Sequence, residues 1–134
     1  MNDCLFCKII SGELPAYIVY EDELVLGFLD IQPVNPGHVL IAPKVHFADM
    51  LDIDEKYLCA IGEAIPKVAR KVLEAVGAKD FNVGVNNGEL AGQLIPHLHF
   101  HIMPRFEGDG HQLFKGKEVS SNDLRDLAAK LNAV

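Results

Sequence analysis

The chain has 134 residues, of which 49% are hydrophobic and 23% are charged, and its formal net charge is −7. This composition excludes an intrinsically disordered chain, and the length suits one domain that spans residues 1–134. The chain has 19 acidic and 12 basic residues. This balance argues against a protein that binds nucleic acids or anionic membranes in general, because such proteins rely on a cationic surface.

Two further features concern the compartment. We find neither an N-terminal charged-then-apolar signal nor an apolar run long enough to cross a bilayer. The three cysteines, an odd number, favour a reducing compartment in which thiols stay free or bind metal. We therefore expect a cytoplasmic protein with no membrane partner.

The first half of the chain predicts one short helix and three strands. Residues 4–11 favour a short helix, which the Gly and Pro at 12 and 15 would end. Runs of apolar and β-branched residues predict strands over 17–20, 24–29 and 38–42. Residues 32–37 contain two prolines and a glycine, which indicates a loop before the third strand.

The second half predicts one long helix, two strands and a last helix. Apolar residues recur at spacings of three and four over 54–76, which indicates a helix with a kink or a break at Pro66. Residues 81–85 and 98–103 favour strands, with a glycine-containing loop over 86–93 between them. A last helix is predicted over 122–131, with Ser120 or Ser121 as its N-cap.

This order of elements indicates an α+β domain. We expect an antiparallel sheet of about five strands, with one long helix and short terminal helices packed on one face. Because sheet edges must be covered or paired, such a sheet leaves room for a homodimer that joins two sheets.

Half of the six histidines lie in one short stretch, His-Leu-His-Phe-His at 97–101. In a strand, His97, His99 and His101 would line one face, roughly 7 Å apart. Imidazole titrates near neutral pH, ligates metals and can act as a nucleophile. The row therefore predicts a reactive site. Three imidazoles can also hold a catalytic zinc ion with one open position, so that alternative stays open.

The row resembles the signature of the histidine triad superfamily of nucleotide hydrolases and transferases. Cys-Leu-Phe-Cys-Lys-Ile-Ile at 4–10, followed by Gly-Glu-Leu-Pro at 12–15, is similar to the N-terminal segment of that family. Phe-Leu-Asp-Ile-Gln-Pro at 28–33, Pro-Gly-His at 36–38 and Ala-Pro-Lys at 42–44 resemble its central segment. The resemblance extends over residues 4–105 and is nearest to the zinc-containing, Hint-like branch of bacterial type.

The resemblance implies a role for each histidine of the row. His99 would attack the α-phosphate and form a nucleotidyl-histidine intermediate, which water then hydrolyses to a nucleoside monophosphate. His101 would stabilise the phosphate, and the His97 carbonyl would hold the tautomer of His99. Apart from the resemblance, we expect His38 to be a buried, hydrogen-bonded imidazole that supports the triad from the next strand, with a secondary role in turnover. Because the transferase branch typically has Gln at the position of His101, the sequence favours hydrolysis.

Cys4 and Cys7 form a Cys-x-x-Cys pair, which by itself has three interpretations. The two residues fit the buried side of a short helix, a redox pair, or two ligands of a zinc ion. The resemblance implies the last, with His46 and His97 as the remaining ligands. Four protein ligands leave no open position, so the zinc would be structural.

The resemblance also implies a nucleotide pocket. Asp30 would bind the ribose hydroxyls, although by pattern alone it is a turn-initiating carboxylate. Asn86 and Gln93 would hold the phosphate. Leu94 departs from the family, which commonly has Ser or Thr there. The base would lie in an apolar slot whose members by pattern alone are ordinary core residues: Leu5, Phe6, Ile9, Phe28 and Ile31.

Several single residues receive weaker predictions. Lys44 and Arg105 are the nearest cations for steering a phosphate, although surface solvation explains each of them better. Cys59 lies on the long predicted helix and is expected in the core. His111 lies in a stretch rich in glycine and is expected to be solvated only.

The resemblance implies a homodimeric, zinc-containing hydrolase of purine nucleoside 5′-phosphoramidates, such as adenylated amines. Dinucleoside polyphosphates remain an alternative substrate. A nucleotide-binding or scaffold module with weak catalysis remains an alternative class, and Leu94 is the feature that favours it.

Overall fold

The computed structural model describes residues 3–134, which form five strands and three α-helices. In chain order they are α1 (Leu5–Ile10), β1 (Ile18–Glu21), β2 (Val25–Leu29), β3 (Val39–Pro43), α2 (Glu55–Val76), β4 (Asp80–Val85), β5 (Phe100–Arg105) and α3 (Ser121–Asn132). The α+β class, with one long helix and short terminal helices, is confirmed.

All strands belong to one antiparallel sheet with the order β1-β2-β3-β5-β4. β5 therefore lies between β3 and β4, although β4 precedes it in the chain. In this arrangement His101 on β5 is paired with Leu40 on β3. The last strand thus brings the histidine segment beside the start of β3, which follows His38.

The two faces of the sheet are covered by different helices. Val39 and Ile41 of β3 pack with α2, whereas Leu40 and Ala42 point to the opposite face and pack with Phe6 of α1. The expectation that the helices lie on one face is wrong. Because both faces are covered, every residue of β3 is buried, and its alternation of side chains separates two apolar clusters.

α2 runs without a break from Glu55 to Val76, so the predicted break at Pro66 is wrong, and the alternative, a kink there, stays a prediction. Pro66 lies on the exposed side, where the carbonyl that its missing N–H would have bonded can be solvated. The helix is held by a buried stripe on the other side. Gly77 ends it in the left-handed conformation, with φ 71° and its N–H donated to the Leu73 carbonyl.

α3 starts as predicted but packs against little of the domain. The Ser120 hydroxyl accepts the N–H of Asp123 at 3.1 Å, so Ser120 is the N-cap. None of the residues of α3 is buried. Within residues 3–134 no helix has the length and the apolarity that crossing a membrane requires.

Candidate active site and metal centre

The three triad histidines do not form a row on one strand. β5 begins only at Phe100, whereas the backbone before it turns away: the N–H of Leu98 donates to the Phe47 carbonyl at 2.8 Å. The predicted strand over 98–103 is confirmed from Phe100 onward and extends to Arg105, whereas the predicted row of three aligned imidazoles is wrong. His97 turns toward the N-terminal cysteines, while the rings of His99 and His101 lie 5.0 Å apart, centroid to centroid.

His99 is buried and has one anchored ring nitrogen. Its Nδ1 lies 2.8 Å from the His97 carbonyl oxygen, which can only accept, so Nδ1 carries the proton. Burial lowers the pKa of His99, against the opposing effects of this carbonyl and of Asp30. The ring is therefore neutral at pH 7, and Nε2 keeps its lone pair. That is the form that an imidazole nucleophile needs.

His38 and His101 form an oriented pair. The N–H of Val34 donates to Nδ1 of His38 at 3.0 Å, so the proton of neutral His38 is on Nε2. That proton is donated to Nδ1 of His101, 2.9 Å away. His101 consequently carries its own proton on Nε2, which leaves one N–H available to a substrate.

Burial is also the main reason why both members of this pair are neutral. Burial lowers the pKa of His38, and the nearby Asp30 only partly offsets this. Burial, followed by the neighbouring His99 and His38, lowers the pKa of His101 to about 4. His38 therefore contacts His101 but does not line the cavity, and its role in turnover stays a prediction.

A cavity of about 810 Å³ opens beside these imidazoles. His99 and His101 line one part of it, and α1 supplies an apolar wall. The lining includes these residues of the predicted nucleotide pocket: Leu5, Phe6, Ile9, Phe28, Asp30, Ile31 and Asn86. Among the described residues of the lining, Asp30 alone carries a charge. The structure thus joins most of the predicted pocket residues around one apolar cavity.

Asp30 both shapes its turn and faces the cavity. Its Oδ1 accepts the N–H of Gln32 at 2.8 Å, as the pattern of a turn-initiating carboxylate predicts. Its Oδ2 lies 3.6 Å from Nε2 of His38. The side chain is 21% exposed, so its carboxylate remains accessible from the cavity.

Gln93 lies outside the cavity lining and holds the loop before the triad. Its Oε1 accepts the N–H of Gly88 at 2.8 Å, and its Nε2 donates to the carbonyls of Ala48 at 2.8 Å and Ile95 at 3.1 Å. A phosphate contact by Gln93 stays a prediction. The next residue, Leu94, does line the cavity and is 89% exposed.

Neither predicted steering cation reaches the cavity. Lys44 pairs with Glu21, with 2.7 Å between Nζ and Oε2. Arg105 pairs with Asp109 through two nitrogens, at 2.8 and 2.9 Å. Both side chains therefore serve ion pairs of the fold.

Cys4, Cys7, His46 and His97 form a four-residue cluster whose candidate ligand atoms all lie within 4.8 Å of one another. Sγ of Cys4 is 3.4 Å from Nδ1 of His97, and Sγ of Cys7 is 3.5 Å from Nδ1 of His46. With bonds of about 2.0–2.3 Å, a zinc tetrahedron has edges of about 3.3–3.8 Å. The spacing and the donor types therefore fit zinc.

The hydrogen bonds of His97 match a ligand role. Its Nε2 donates to the Pro43 carbonyl at 2.9 Å, which leaves the lone pair on Nδ1, the nitrogen that faces the cysteines. A sequence cannot reveal this contact, because Pro43 supplies only its backbone oxygen. The third cysteine, Cys59, lies exposed on α2, so its predicted core position is wrong.

Two other arrangements do not support a catalytic metal. Asp30, His38 and His101 also lie within ligand distance of one another. However, Nε2 of His38, which faces the other two, carries a proton because the Val34 N–H occupies Nδ1. The three triad imidazoles do not converge on one point, because Nδ1 of His97 faces sulfur and its Nε2 is bonded to Pro43.

Comparisons of sequence place the chain among known proteins. A family model described as the HIT domain matches residues 11–108. An uncharacterised HIT-like protein of Methanocaldococcus jannaschii is 45% identical over 96% of this chain and 98% of its own. An adenosine 5′-monophosphoramidase of Schizosaccharomyces pombe is 43% identical over 76% of this chain and 74% of its own. An adenylylsulfatase of Arabidopsis thaliana is 44% identical over 81% of this chain and 55% of its own.

Solved structures agree with this placement. A protein of Streptococcus mutans superimposes with a TM-score of 0.94 at 41% identity, over 99% of this chain and 85% of that one. A zinc-bound histidine triad family protein of Mycobacterium smegmatis superimposes with a TM-score of 0.79 at 34% identity, over 98% of this chain and 97% of that one. With a matched domain, close relatives and a shared fold, the chain belongs to the HIT domain family.

Proposed function

We propose that the protein hydrolyses nucleoside 5′-phosphoramidates, such as adenylated amines, through a covalent intermediate on His99. The observation that carries this proposal is the state of His99: it is buried beside the cavity, Nδ1 donates to the His97 carbonyl, and Nε2 is free. A relative named as an adenosine 5′-monophosphoramidase supports the same class of reaction.

The proposed reaction has two displacements at phosphorus. Nε2 of His99 attacks the α-phosphorus and forms a P–N bond to the ring, while the P–N bond to the amine breaks and the amine takes a proton from solvent water. A water molecule then attacks phosphorus, the bond to Nε2 breaks, and the water proton passes to solvent, which yields the nucleoside monophosphate and restores neutral His99. His101 supports both steps, because its Nε2–H can donate to a phosphate oxygen that carries negative charge.

The charge of the cavity favours phosphoramidates over dinucleoside polyphosphates. Among the described residues of its lining there is neither a lysine nor an arginine, and Lys44 and Arg105 are engaged elsewhere. A polyphosphate leaving group carries several negative charges that such a lining does not balance. An amine leaves without negative charge, and the exposed Leu94 suits an apolar substituent on it.

Asp30 is proposed to bind the ribose. Its carboxylate borders the cavity, and from residues 3–134 Oδ2 accepts no hydrogen bond shorter than the 3.6 Å approach of His38. A carboxylate there can accept hydrogen bonds from the 2′ and 3′ hydroxyls, so a 2′-deoxynucleotide should bind more weakly. Equal affinity for the two nucleotides would remove this assignment.

We also propose that Cys4, Cys7, His46 and His97 hold a structural zinc ion. When bound, the ion would supply the positive charge that keeps two thiolates close together, and it would join α1 to the rest of the domain. The zinc-bound relative of Mycobacterium smegmatis supports this proposal. Elemental analysis that finds no zinc in protein purified without chelator would contradict it.

Two properties of the whole protein stay proposals. A homodimer is supported by β4, an edge strand on which Phe81 and Val83 are 39% and 44% exposed. A cytoplasmic location is supported by cysteines that are all free among the described residues.

The test compares AMP release from an adenosine phosphoramidate with AMP release from diadenosine polyphosphates. Native protein should turn over the phosphoramidate faster. His99→Ala should lower kcat by about 1,000-fold or more, since a covalent nucleophile acts only in the reaction itself. Cys59→Ser serves as the control, because it changes an exposed residue on α2.

Three outcomes would contradict parts of the proposal. A rate that His99→Ala leaves unchanged removes the nucleophile. Faster release from the polyphosphates reverses the substrate preference. Nucleotide binding without any turnover would favour a binding module, and Leu94 would then be the first residue to replace with Ser.

A further inference from the structure

Asp109, which follows the matched HIT domain, is the centre of a dense hydrogen-bond network. Its side chain is only 7% exposed. Oδ2 accepts from Nε of Arg105 at 2.8 Å, from Nδ2 of Asn35 at 2.9 Å and from the N–H of Phe106 at 3.1 Å. Oδ1 accepts from Nη2 of Arg105 at 2.9 Å and from the N–H of His111 at 3.0 Å. These bonds fold residues 106–111 back onto the end of β5.

The segment 104–111 is hydrogen-bonded to two adjacent residues, Val34 and Asn35, of the loop that precedes β3. Asn35 donates one amide hydrogen to Asp109 and the other to the Pro104 carbonyl, at 2.9 Å each. Nε2 of His111 lies 2.9 Å from the Val34 carbonyl oxygen and must be its donor. The expectation that His111 is merely solvated is therefore wrong.

This loop leads directly into the active site. The N–H of Val34 donates to Nδ1 of His38 at 3.0 Å, and Nε2 of His38 donates to Nδ1 of His101 at 2.9 Å. A continuous path of contacts thus runs from His111 through Val34 and His38 to His101. The Val34 N–H selects the tautomer of His38, because Nδ1 must keep its lone pair to accept this hydrogen bond.

We propose that Asp109 and His111 are positioning residues. Their hydrogen bonds to Asn35 and Val34 keep the Val34 N–H bonded to Nδ1 of His38. His38 then keeps its proton on Nε2, and His101 consequently keeps its own proton on Nε2. If Val34 shifts, His38 can carry its proton on Nδ1 instead. Its Nε2 then accepts from Nδ1 of His101, which turns a lone pair of His101 toward the substrate. A lone pair repels the phosphate oxygen that the N–H would have bound. The catalytic part of this inference rests on the proposed function.

The experiment uses the full-length, zinc-loaded protein with ¹⁵N-labelled histidine. Ring ¹⁵N shifts report directly which nitrogen of a neutral imidazole carries the proton. His111→Ala removes the donor to Val34, His111→Gln restores an N–H that can reach it, and Asp109→Asn weakens the centre of the network. Asp126→Asn is the matched control, because it removes a carboxylate from the exposed helix α3.

For native protein and the control, we expect both His38 and His101 as Nε2–H tautomers. His111→Ala and Asp109→Asn should give a mixture of tautomers. They should also lower kcat by about ten-fold with little change in KM. A displacement of a catalytic group by about 1 Å, caused by a remote substitution, lowers the rate by up to about 100-fold. His111→Gln should restore most of both properties.

The tautomer readout separates this inference from the proposed function. Unchanged ¹⁵N shifts in His111→Ala, whose side chain is exposed, overturn the positioning role even if Asp109→Asn fails to fold. A fall in kcat without a tautomer change also overturns it, because a general loss of stability would do the same. Altered tautomers in a protein that hydrolyses no phosphoramidate would support the positioning and contradict the proposed function.

Discussion

The neutral state of His101 makes stability depend on pH. His99 just before β5, His38 before β3 and Asp30 after β2 are the titratable groups that face it. Burial and the two imidazoles lower the pKa of His101 to about 4, whereas the unfolded chain has a pKa of about 6.5. Between these values the unfolded chain binds more protons. His101 therefore contributes stability above pH 6.5 that is lost as the pH falls toward 4.

His101→Gln should remove this dependence. We expect the free energy of unfolding of native protein to fall by about 1–2 kcal/mol more than that of the variant between pH 6.5 and 4.5, after allowance for solvent screening. Urea unfolding at several pH values measures the difference. Loss of the proposed zinc ion at low pH would affect both proteins alike. If the free energies of unfolding of the two proteins fall in parallel, His101 is not held neutral by the fold.

At the scale of elements, α1 depends on its attachments. Its six residues are too few to form a stable helix alone. Two attachments hold it on the sheet: the ring of Phe6, 5.2 Å from that of Phe28, and the cysteine cluster. Because α1 supplies one wall of the cavity, a loss of the cluster should affect both stability and nucleotide binding.

Cys7→Ser tests this dependence against Cys59→Ser. Removing one of the four proposed ligands should abolish zinc binding and lower the free energy of unfolding by about 3–4 kcal/mol, the linkage expected for a tightly bound ion. It should also weaken AMP binding. Calorimetry, zinc analysis and AMP titration measure the three effects. If Cys7→Ser has the same melting temperature as the Cys59→Ser control, the cysteine cluster does not hold α1 on the sheet.

Local sequence patterns predicted the helices and strands, but not which side of each element is buried or which distant residues it contacts. Periodicity located the strands and α2 to within a few residues, because each pattern is a property of consecutive positions. The continuity of α2 at Pro66 depends instead on which side of the helix faces solvent. The start of β5 depends on a backbone bond from Leu98 to Phe47, 51 positions earlier. Contacts of that kind have no local signature.

Long-range contacts also limit what the sequence predicts about the candidate site within the complete domain. The resemblance identified His99 and the residues around the cavity, because those positions carry recognisable motifs. It could not show that Asp109 and His111 reach the active site, since this contact passes through the backbone of Val34. The resemblance ends at Arg105, so it does not cover Asp109 or His111, although His111 contacts the residue whose N–H is bonded to His38.

The two edges of the sheet differ in their readiness to pair with a second copy. β1 has four residues and an irregular register between Ile18 and Tyr20, and its Val19 carbonyl already accepts a hydrogen bond from Lys71. Short, irregular edges of this kind resist pairing. β4 has six residues in regular register with β5, so its outer edge is the better template for a dimer that joins two sheets.

Val83→Lys and Ile18→Lys place the same charge on the two edges, at apolar residues that are 44% and 52% exposed. In the proposed dimer, a lysine on β4 should bring two positive charges together across the interface and desolvate them, which shifts the equilibrium toward monomer. The same residue on β1 should leave the dimer intact. Light scattering at several concentrations measures the molar mass. A native monomer would overturn the dimer, whereas dissociation by Ile18→Lys alone would move the interface to β1.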